Sequence, residues 1–536
     1  MRDDIAIMKG IKQPYFWCTL ALVAITVFIL KAICDKRNLT QTVVSFLGSI
    51  FGIKLRNITI PGPSGLPLVG CLNEFKSGHI QKLSEWSREY GDVIRVPLGK
   101  REAVFINSHK ALVQTIVQQG PAYQSRPTFE LYHSNYASDG IWTLGTSPIN
   151  ISVARTRKAF SSQTASRILP VYNSVVHTRL KKLFDDLLNV SHGPAIDVAE
   201  ILHCYGTGQI CEQLVGQTLD DATVRVIAEN ETNIFRQRTI GSPLRDYIPL
   251  LRAASQVRYW IMTVFGLTSG DQTPSIVGNI MRQGRLNDDE ILLASYTGIA
   301  AGINLGYSLT WIIGYLANRP DLQQKGFEAI REVYHGKVPN PHEFDRVEYV
   351  KALHTDGSRM FTPVRLGFPR ETLDGAKYMG NVIPSGTLVV MNLFQANRDP
   401  IAFDRPNEFL PERWLDGHKG RTDRLLEGAD KIGTPHLTYG AGRRVCPGID
   451  VANRGLYSTL VILLHFFTWE RQPLGEGEKN SVSPAFRAKR ECSLEMDALL
   501  DTATPTEAQA IPWSAGIMFH CRDPEALRAW LASGKN

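Results

Sequence analysis

One cysteine, Cys446, lies in a loop whose residue types suit a thiolate that binds a metal. Arg443 and Arg444 come just before it, and their positive charge favours the ionised form of the sulfur. Three glycines permit positive φ and a close approach of the backbone in the same segment, at positions 440, 442 and 448. A cysteine in a basic loop can also be purely structural, so the spacing of its neighbours has to separate the two interpretations.

That spacing resembles the haem-binding signature of the cytochrome P450 family, in which an aromatic residue, Gly, Arg, Cys and Gly recur at fixed intervals. The matching residues, with Tyr where the family usually has Phe, are Tyr439, Gly442, Arg444, Cys446 and Gly448. The resemblance implies haem b with an axial thiolate from Cys446, which makes the iron electron-rich and suited to O–O cleavage. It also implies that Arg444 pairs with a haem propionate.

A long helix is predicted to begin at Asn287, because Asn287 and Glu290 form an Asn version of the capping box. Its apolar pattern continues to Pro320, and about 30 residues would make a rod of ~45 Å. Small residues leave room along its middle, at Ala300, Ala301, Gly302 and Gly306. Close packing against another helix would explain them too. The resemblance implies instead the helix that crosses the haem, with Ala301 and Gly302 bordering the cofactor.

The same helix differs from the family at Asn304 and Leu305. The family usually carries an acid and then Thr at these positions, and the pair relays protons during oxygen activation. Asn304 can donate and accept a hydrogen bond but cannot supply a proton by ionising, and Leu305 can do neither. Ser308, one turn beyond Asn304, is an alcohol that could substitute together with a water molecule.

Asp356, Arg359 and Arg413 are predicted to form a buried structural network. The one-turn spacing of Asp356 and Arg359 puts carboxylate and guanidinium on the same face of a helix. The family has Glu-x-x-Arg here, closed by a downstream Arg that Arg413 matches. Asp is one methylene shorter than Glu, and a buried network has to be fully paired. The backbone must therefore sit closer, or water must bridge the gap.

Arg370 matches the basic residue that contacts a haem propionate in the family, although a solvated strand residue is an alternative. P450s often hold the second propionate with a Trp and an Arg from a helix further upstream. Ile149 stands at the position of that Trp. The nearby basic cluster therefore has two possible roles, propionate binding or docking of a redox partner, and it comprises Arg155, Arg157 and Lys158.

Composition and periodicity predict one large domain, mainly α with small β-sheets, as in the P450 fold. Strand character is strongest in segments 93–96, 103–106 and 387–390, and a helical pattern covers 79–90. The net charge of +7 is too small to suggest a nucleic-acid partner. The eight cysteines form no CxxC or zinc-type spacing, which argues against a disulfide framework or a structural metal.

An apolar run at 15–30 predicts an N-terminal transmembrane helix, with a signal peptide as the alternative. Residues 1–34 are assigned to this membrane anchor, 35–57 to a membrane-proximal segment, and 58–536 to a catalytic domain that opens with a Pro-rich hinge. The resemblance implies a single-pass protein of the endoplasmic reticulum membrane with a cytosolic catalytic domain. Its partners would be membrane lipid and NADPH-cytochrome P450 reductase, which passes on electrons from NADPH.

Three functions remain open. The first is a monooxygenase that inserts oxygen from O2 into a small, apolar to amphipathic organic substrate. The second is a haem-thiolate enzyme that uses peroxide, or rearranges or couples its substrate, and so needs no acid-alcohol pair. The third is a non-catalytic haem protein. Segments 143–148, 366–370 and 435–448 are similar to those of fungal P450s related to phenylacetate hydroxylases, many of which tailor secondary metabolites.

Overall fold

The computed structural model describes residues 58–129, 133, 143–236, 239–241, 244–248, 274–415, 436–472, 496–499, 502, 504, 506–507, 509–512 and 516–533. The chain divides into two units between Asn57 and Ile58. The predicted membrane anchor and the membrane-proximal segment both belong to the first unit, and they lie outside the described residues.

Helices dominate the second unit, as the sequence predicts. They are α1 His79–Tyr90, α2 His109–Leu112, α3 Ile151–Gln163, α4 Asn173–Val190, α5 Val198–Val215, α6 Asp221–Arg236, α7 Ile276–Arg282, α8 Asp288–Leu316, α9 Pro320–Tyr334, α10 Glu348–Phe361, α11 Leu393–Ala396, α12 Ile449–Phe466 and α13 Pro524–Ala532. The first of them matches the predicted helical segment.

The strands form small sheets. They are β1 Val93–Leu98, β2 Arg101–Ile106, β3 Ile196–Asp197, β4 Arg370–Glu371, β5 Lys377–Tyr378, β6 Asn381–Val382, β7 Leu388–Met391, β8 Phe467–Arg471 and β9 Gly516–Cys521. One sheet has the order β1-β2-β7-β4, a second has the order β3-β9-β8, and β5 pairs with β6. The three strand segments predicted from sequence are β1, β2 and β7, and they are neighbours in the first sheet.

Helix α8 runs through the core, and its N-terminus is the predicted one. The Asn287 side chain accepts from the Glu290 N–H at 2.9 Å, and the Glu290 carboxylate accepts from the Asn287 N–H at 3.1 Å. The helix ends at Leu316, before Pro320, which takes the first position of α9 instead. Among the described residues α8 alone is long and apolar enough to cross a membrane, but most of it is buried inside the domain.

The glycines of α8 let a second helix, α5, approach its backbone. A Cβ atom on Gly306 would lie 2.6 Å from the Leu202 carbonyl oxygen, and one on Gly302 would lie 3.0 Å from the Thr207 Cα. A Cβ atom on Gly206 would in turn lie 2.5 Å from the Gly306 nitrogen. Helix packing therefore explains Gly302 and Gly306, whereas the place of Gly302 beside the cofactor stays a prediction.

We expect Gly306→Val to destabilise the protein by about 1–3 kcal/mol, because the new side chain meets the backbone of α5 and neither helix can move without unpacking the core. The free energy of unfolding in urea measures the effect. Leu292→Val serves as the control, since Leu292 is exposed on the same helix and its change should cost within roughly 0.5 kcal/mol. Equal stability of the two variants would contradict the close α5–α8 contact.

Candidate active site

Cys446 is held by backbone hydrogen bonds just before the N-terminus of α12. Its N–H donates to the Tyr439 carbonyl oxygen at 3.0 Å, and its Sγ accepts from the Gly448 N–H at 3.4 Å. Burial raises the pKa of the Cys446 thiol, while the Gly448 N–H and the charge of Arg157 oppose that rise. A buried thiol becomes a thiolate when a metal cation binds it, so the loop suits a metal ligand.

Two residues of the cysteine loop have structural contacts of their own. Gly442 has φ of 63°, and a Cβ atom there would lie 2.3 Å from the Ile116 carbonyl oxygen. Only glycine fits such a position, so Gly442 has a structural role in the loop, and its contact with the cofactor stays a prediction. The Tyr439 hydroxyl donates to Asn453 Oδ1 at 2.7 Å, which fixes the ring in the cavity wall.

A cavity of about 230 Å³ connects the cysteine loop with the middle of α8. The loop contributes Tyr439, Arg444, Cys446 and Gly448, whereas α8 contributes Ala301, Asn304, Leu305 and Ser308. The structure thus brings together most of the residues that the sequence assigned to the site. Leu305 also packs against α12, because Gly455 of that helix leaves room for its side chain.

The described lining of the cavity contains four arginines, Arg126, Arg157, Arg370 and Arg444. No Asp, Glu or Lys occurs among the described lining residues. Burial lowers the pKa of all four guanidinium groups, and the positive charges of neighbouring arginines lower it further in every case except Arg157. The pKa of Arg370 falls to about 9 and that of Arg444 to about 10.

Backbone carbonyl groups hold these arginines without neutralising them. Arg444 donates to the Gln124 and Leu144 carbonyl oxygens at 2.9 and 2.7 Å. Arg370 donates to the Ala441 carbonyl oxygen at 2.8 Å. The Nε atoms of Arg126, Arg370 and Arg444 are buried, and none has a hydrogen-bond partner among the described residues. Buried charge without a counter-ion is costly, so the cluster fits a bound group that carries carboxylates.

The sequence left the basic cluster on α3 open, and the structure divides it. The Arg157 guanidinium reaches the cavity and donates to the Val445 carbonyl oxygen, next to Cys446. Arg155 instead pairs with Glu290, the capping residue of α8, at 3.0 Å from Nε to Oε1. Lys158 is exposed. Arg126 was missed altogether, because it belongs to no spacing pattern and its only signal is its place in the folded cavity.

Asp356 forms the centre of the predicted structural network without a water bridge. Its Oδ1 atom accepts from Arg359 Nε at 2.7 Å and from Arg413 Nε at 2.9 Å. The same oxygen accepts from Trp414 Nε1 at 3.1 Å, and Oδ2 accepts from the Leu410 N–H at 2.5 Å. The two arginines and the aspartate are almost fully buried. The shorter side chain therefore reaches both partners directly.

A second set of hydrogen bonds joins this network to the cysteine loop. Arg359 Nη1 donates to the Asn397 carbonyl oxygen at 3.0 Å. The Asn397 side chain donates to Thr438 Oγ1 at 3.0 Å and accepts from the Leu437 N–H at 2.8 Å. Thr438 directly precedes Tyr439, so the network fixes the start of the loop that carries Cys446.

The family model for cytochrome P450 matches residues 60–251 and 277–490, which include the arginine-lined cavity and the cysteine loop. The chain belongs to the cytochrome P450 family. It is similar to phenylacetate 2-hydroxylase of Emericella nidulans, with 29% identity over 510 residues that cover 89% of this chain and 93% of the relative. It is also similar to 3-hydroxyphenylacetate 6-hydroxylase of the same fungus, with 29% identity over 486 residues, or 85% and 88% of the two chains.

A cytochrome P450 monooxygenase of Mycosarcoma maydis is 28% identical over 445 residues, which cover 77% of this chain and 81% of the relative. These similarities group the protein with fungal P450s. The protein is a P450 monooxygenase, an oxidoreductase, and the non-catalytic alternative is set aside. Membership of the P450 family implies haem iron with a cysteine thiolate, a redox partner and a small organic substrate.

We expect Asp356→Asn to destabilise this P450 by about 3–5 kcal/mol, because the change leaves two buried guanidinium groups without a carboxylate. The yield of folded protein and the free energy of unfolding in urea measure the loss. Asp186→Asn is the matched control, since Asp186 forms an exposed pair with Lys182 on α4. That change should cost less than about 0.5 kcal/mol. A similar small loss for Asp356→Asn would show that the network is dispensable.

Proposed function

We propose that Cys446 is the axial haem ligand of a monooxygenase that inserts one oxygen atom from O2 into a small organic substrate. The observation that carries this proposal is the composition of one cavity. A buried thiol lies there beside four arginines, and no described acid of the lining neutralises them. Haem b matches that composition, because it brings one metal and two carboxylates.

The residues that would hold the cofactor follow from the contacts of the cavity. Cys446 would bind the iron, and Arg444 and Arg370 would pair with the propionates, with further positive charge from Arg126 and Arg157. The haem, when bound, supplies the chemistry of oxygen activation. Tyr439, Gly448 and Ala301 line the same space and would border the cofactor.

The polar residues of α8 can orient hydrogen bonds at this site, but they cannot ionise to deliver a proton. The Ser308 hydroxyl donates to the Asn304 carbonyl oxygen at 2.9 Å, so its proton is already used within the helix. Its Oγ atom still accepts a hydrogen bond from a water molecule or a substrate hydroxyl. We propose that the proton for oxygen activation comes from such a hydroxyl or from an ordered water that Ser308 holds.

A second function is supported by one observation on the same helix. Leu305 is buried at the position of the usual Thr, and the described lining of the cavity carries no acid. An enzyme that uses peroxide, or that rearranges or couples its substrate, does not need an acid-alcohol pair. The two functions differ in their source of oxidising equivalents, and that difference can be measured.

We propose an aromatic substrate for this monooxygenase. Two of the fungal relatives are named as hydroxylases of phenylacetate and of 3-hydroxyphenylacetate. Two phenylalanines of the present chain, Phe235 of α6 and Phe368, line the cavity with their ring centroids 6.0 Å apart. Aromatic rings favour each other at such distances, so the pair suits an aromatic substrate. The reaction would serve fungal secondary metabolism.

The proposal includes a membrane anchor and a source of electrons. Residues 1–34 would anchor the protein in the membrane of the endoplasmic reticulum as a single span, and 35–57 would lie close to the lipid surface. Residues 58–536 would form the cytosolic catalytic domain, which would receive electrons from NADPH through NADPH-cytochrome P450 reductase. The apolar run at 15–30 and the Pro-rich hinge that opens the catalytic domain support this arrangement.

Two measurements test the monooxygenase function, the CO-difference spectrum and the oxidant that supports turnover. The reduced protein should show the CO-difference band of a thiolate-ligated haem, and Cys446→Ala should lose it. With P450 reductase and a substrate, the wild-type protein should consume NADPH and form an oxygenated product. Product formation with added peroxide, and none with NADPH and reductase, would support the second function. Absence of the thiolate band in the wild-type protein would exclude both.

We expect Arg444→Met to speed the loss of haem by roughly ten- to a hundredfold, because a charge-assisted hydrogen bond of ~1.5–3 kcal/mol to a propionate is removed. Transfer of haem to excess apomyoglobin measures the rate. Arg443→Met is a closely matched control, since Arg443 is the next residue in sequence, is exposed and does not line the cavity. Equal rates for the two variants would argue against propionate binding by Arg444.

A further inference from the structure

The side-chain amide of Asn304 has a fixed orientation in the cavity wall. Its Nδ2 atom donates to the Ala301 carbonyl oxygen at 3.2 Å, and its Oδ1 atom accepts from Gln509 Nε2 at 2.7 Å. A carbonyl oxygen can only accept, so the Ala301 contact favours the orientation in which the nitrogen of Asn304 faces it. The oxygen then faces Gln509, which has to donate.

Gln509 is held in a segment that packs firmly on α8. The Ala510 carbonyl oxygen accepts from Trp311 Nε1 at 2.8 Å, and the Ala510 N–H donates to the Pro363 carbonyl oxygen at 2.7 Å. The Gln509 carbonyl oxygen accepts from Thr504 Oγ1 at 2.6 Å. Gln509 is 1% exposed and is not among the described residues that line the cavity, so its link to a bound molecule runs through Asn304.

The Oε1 atom of Gln509 is buried and has no hydrogen-bond partner within the described part of the chain. A buried amide oxygen without a partner destabilises a fold, and an apolar side chain of similar length would avoid that cost. The hydrogen bond to Asn304 is the interaction that such a replacement would lose. The glutamine is therefore better explained by the orientation of Asn304 than by stability.

We propose that Gln509 is a positioning residue that holds the Asn304 amide so that its second N–H, the one not donated to Ala301, is offered to the cavity, and its oxygen is not. Asn304 then donates a hydrogen bond to an acceptor atom of a molecule bound there, such as a carbonyl or hydroxyl oxygen of the substrate. Leu305 beside it is apolar and offers no competing donor. The Asn304 N–H therefore fixes the bound molecule in one orientation. This inference rests on the proposed haem-thiolate function.

Carbon monoxide is a suitable probe, because it binds to reduced haem on the side opposite an axial thiolate and needs no knowledge of the substrate. Cys446 and Asn304 line one cavity, so CO bound in this way shares that cavity with Asn304. A donor near the oxygen of CO lowers its stretching frequency in the infrared. The frequency therefore reports whether the N–H group of Asn304 faces the ligand.

We expect Asn304→Leu to raise the C–O stretching frequency, because the donor is removed. Gln509→Met should shift the band towards that of Asn304→Leu and broaden or split it, because the released amide adopts more than one orientation. Gln213→Leu is the matched control, since Gln213 is a buried glutamine that lines the same cavity and bonds to neither Asn304 nor Gln509. Its band should stay at the wild-type position.

Gln509→Glu gives a second measurement that does not depend on tolerance of an apolar residue. The protonated carboxyl can donate to Asn304 Oδ1 as the glutamine does, whereas the ionised carboxylate can only accept. The C–O band of this variant should therefore lie at the wild-type position at low pH and shift as the pH rises through the pKa of the introduced group. A purely structural role of Gln509 predicts lower stability with no such pH-dependent band.

The outcomes separate the steps of the inference. An unchanged band in Asn304→Leu would overturn the donor role of Asn304. A shift in Asn304→Leu together with wild-type bands in Gln509→Met, and in Gln509→Glu at every pH, would overturn the positioning role of Gln509. A wild-type protein without thiolate-ligated absorbance would overturn the proposed function, and the inference with it.

Discussion

Compensation of buried positive charge is the constraint on which this site depends. In the network behind the cysteine loop, Asp356 compensates Arg359 and Arg413 by direct hydrogen bonds, so that part of the core is complete as folded. In the cavity, four arginines share one space without a described carboxylate in its lining. The first cluster can form before any ligand arrives, whereas the second favours a ligand with negative charge. Cofactor binding and stability of the folded protein are therefore linked.

Local patterns in the sequence predicted the local parts of the structure. The capping box at Asn287 and the strand segments of the first sheet depend on neighbours a few residues away, and all of them form as predicted. The cysteine loop likewise has its glycines and Tyr439 within ten residues of one another. Small residues were ambiguous, because room for a cofactor and room for a helix need the same lack of a side chain. Close packing against α5 explains why positions 302 and 306 carry no side chain.

The parts that could not be predicted depend on contacts between distant segments. Arg126 joins the cavity from a segment far from the cysteine loop, and Gln509 meets Asn304 across 205 residues of sequence. Asp356 shows a different limit of prediction from sequence. The sequence predicted a network and two ways to close it, by a closer backbone or by water. Only the folded backbone could decide, since a difference of one methylene is smaller than the uncertainty of any sequence-based placement.

The contact between Leu305 and Gly455 has a consequence for how this enzyme can change its range of substrates. Leu305 lies in the cavity wall and also rests on α12, the helix that begins just after Cys446. Leu305 therefore acts as a spacer, because its side chain sets the distance between α8 and α12. Phe235 and Phe368 line another side of the cavity, where side chains from α6 and a loop meet and no pair of helices is held apart. Substitutions that change the substrate range should therefore spare Leu305 and Gly455 and occur at Phe235, Phe368 and their neighbours.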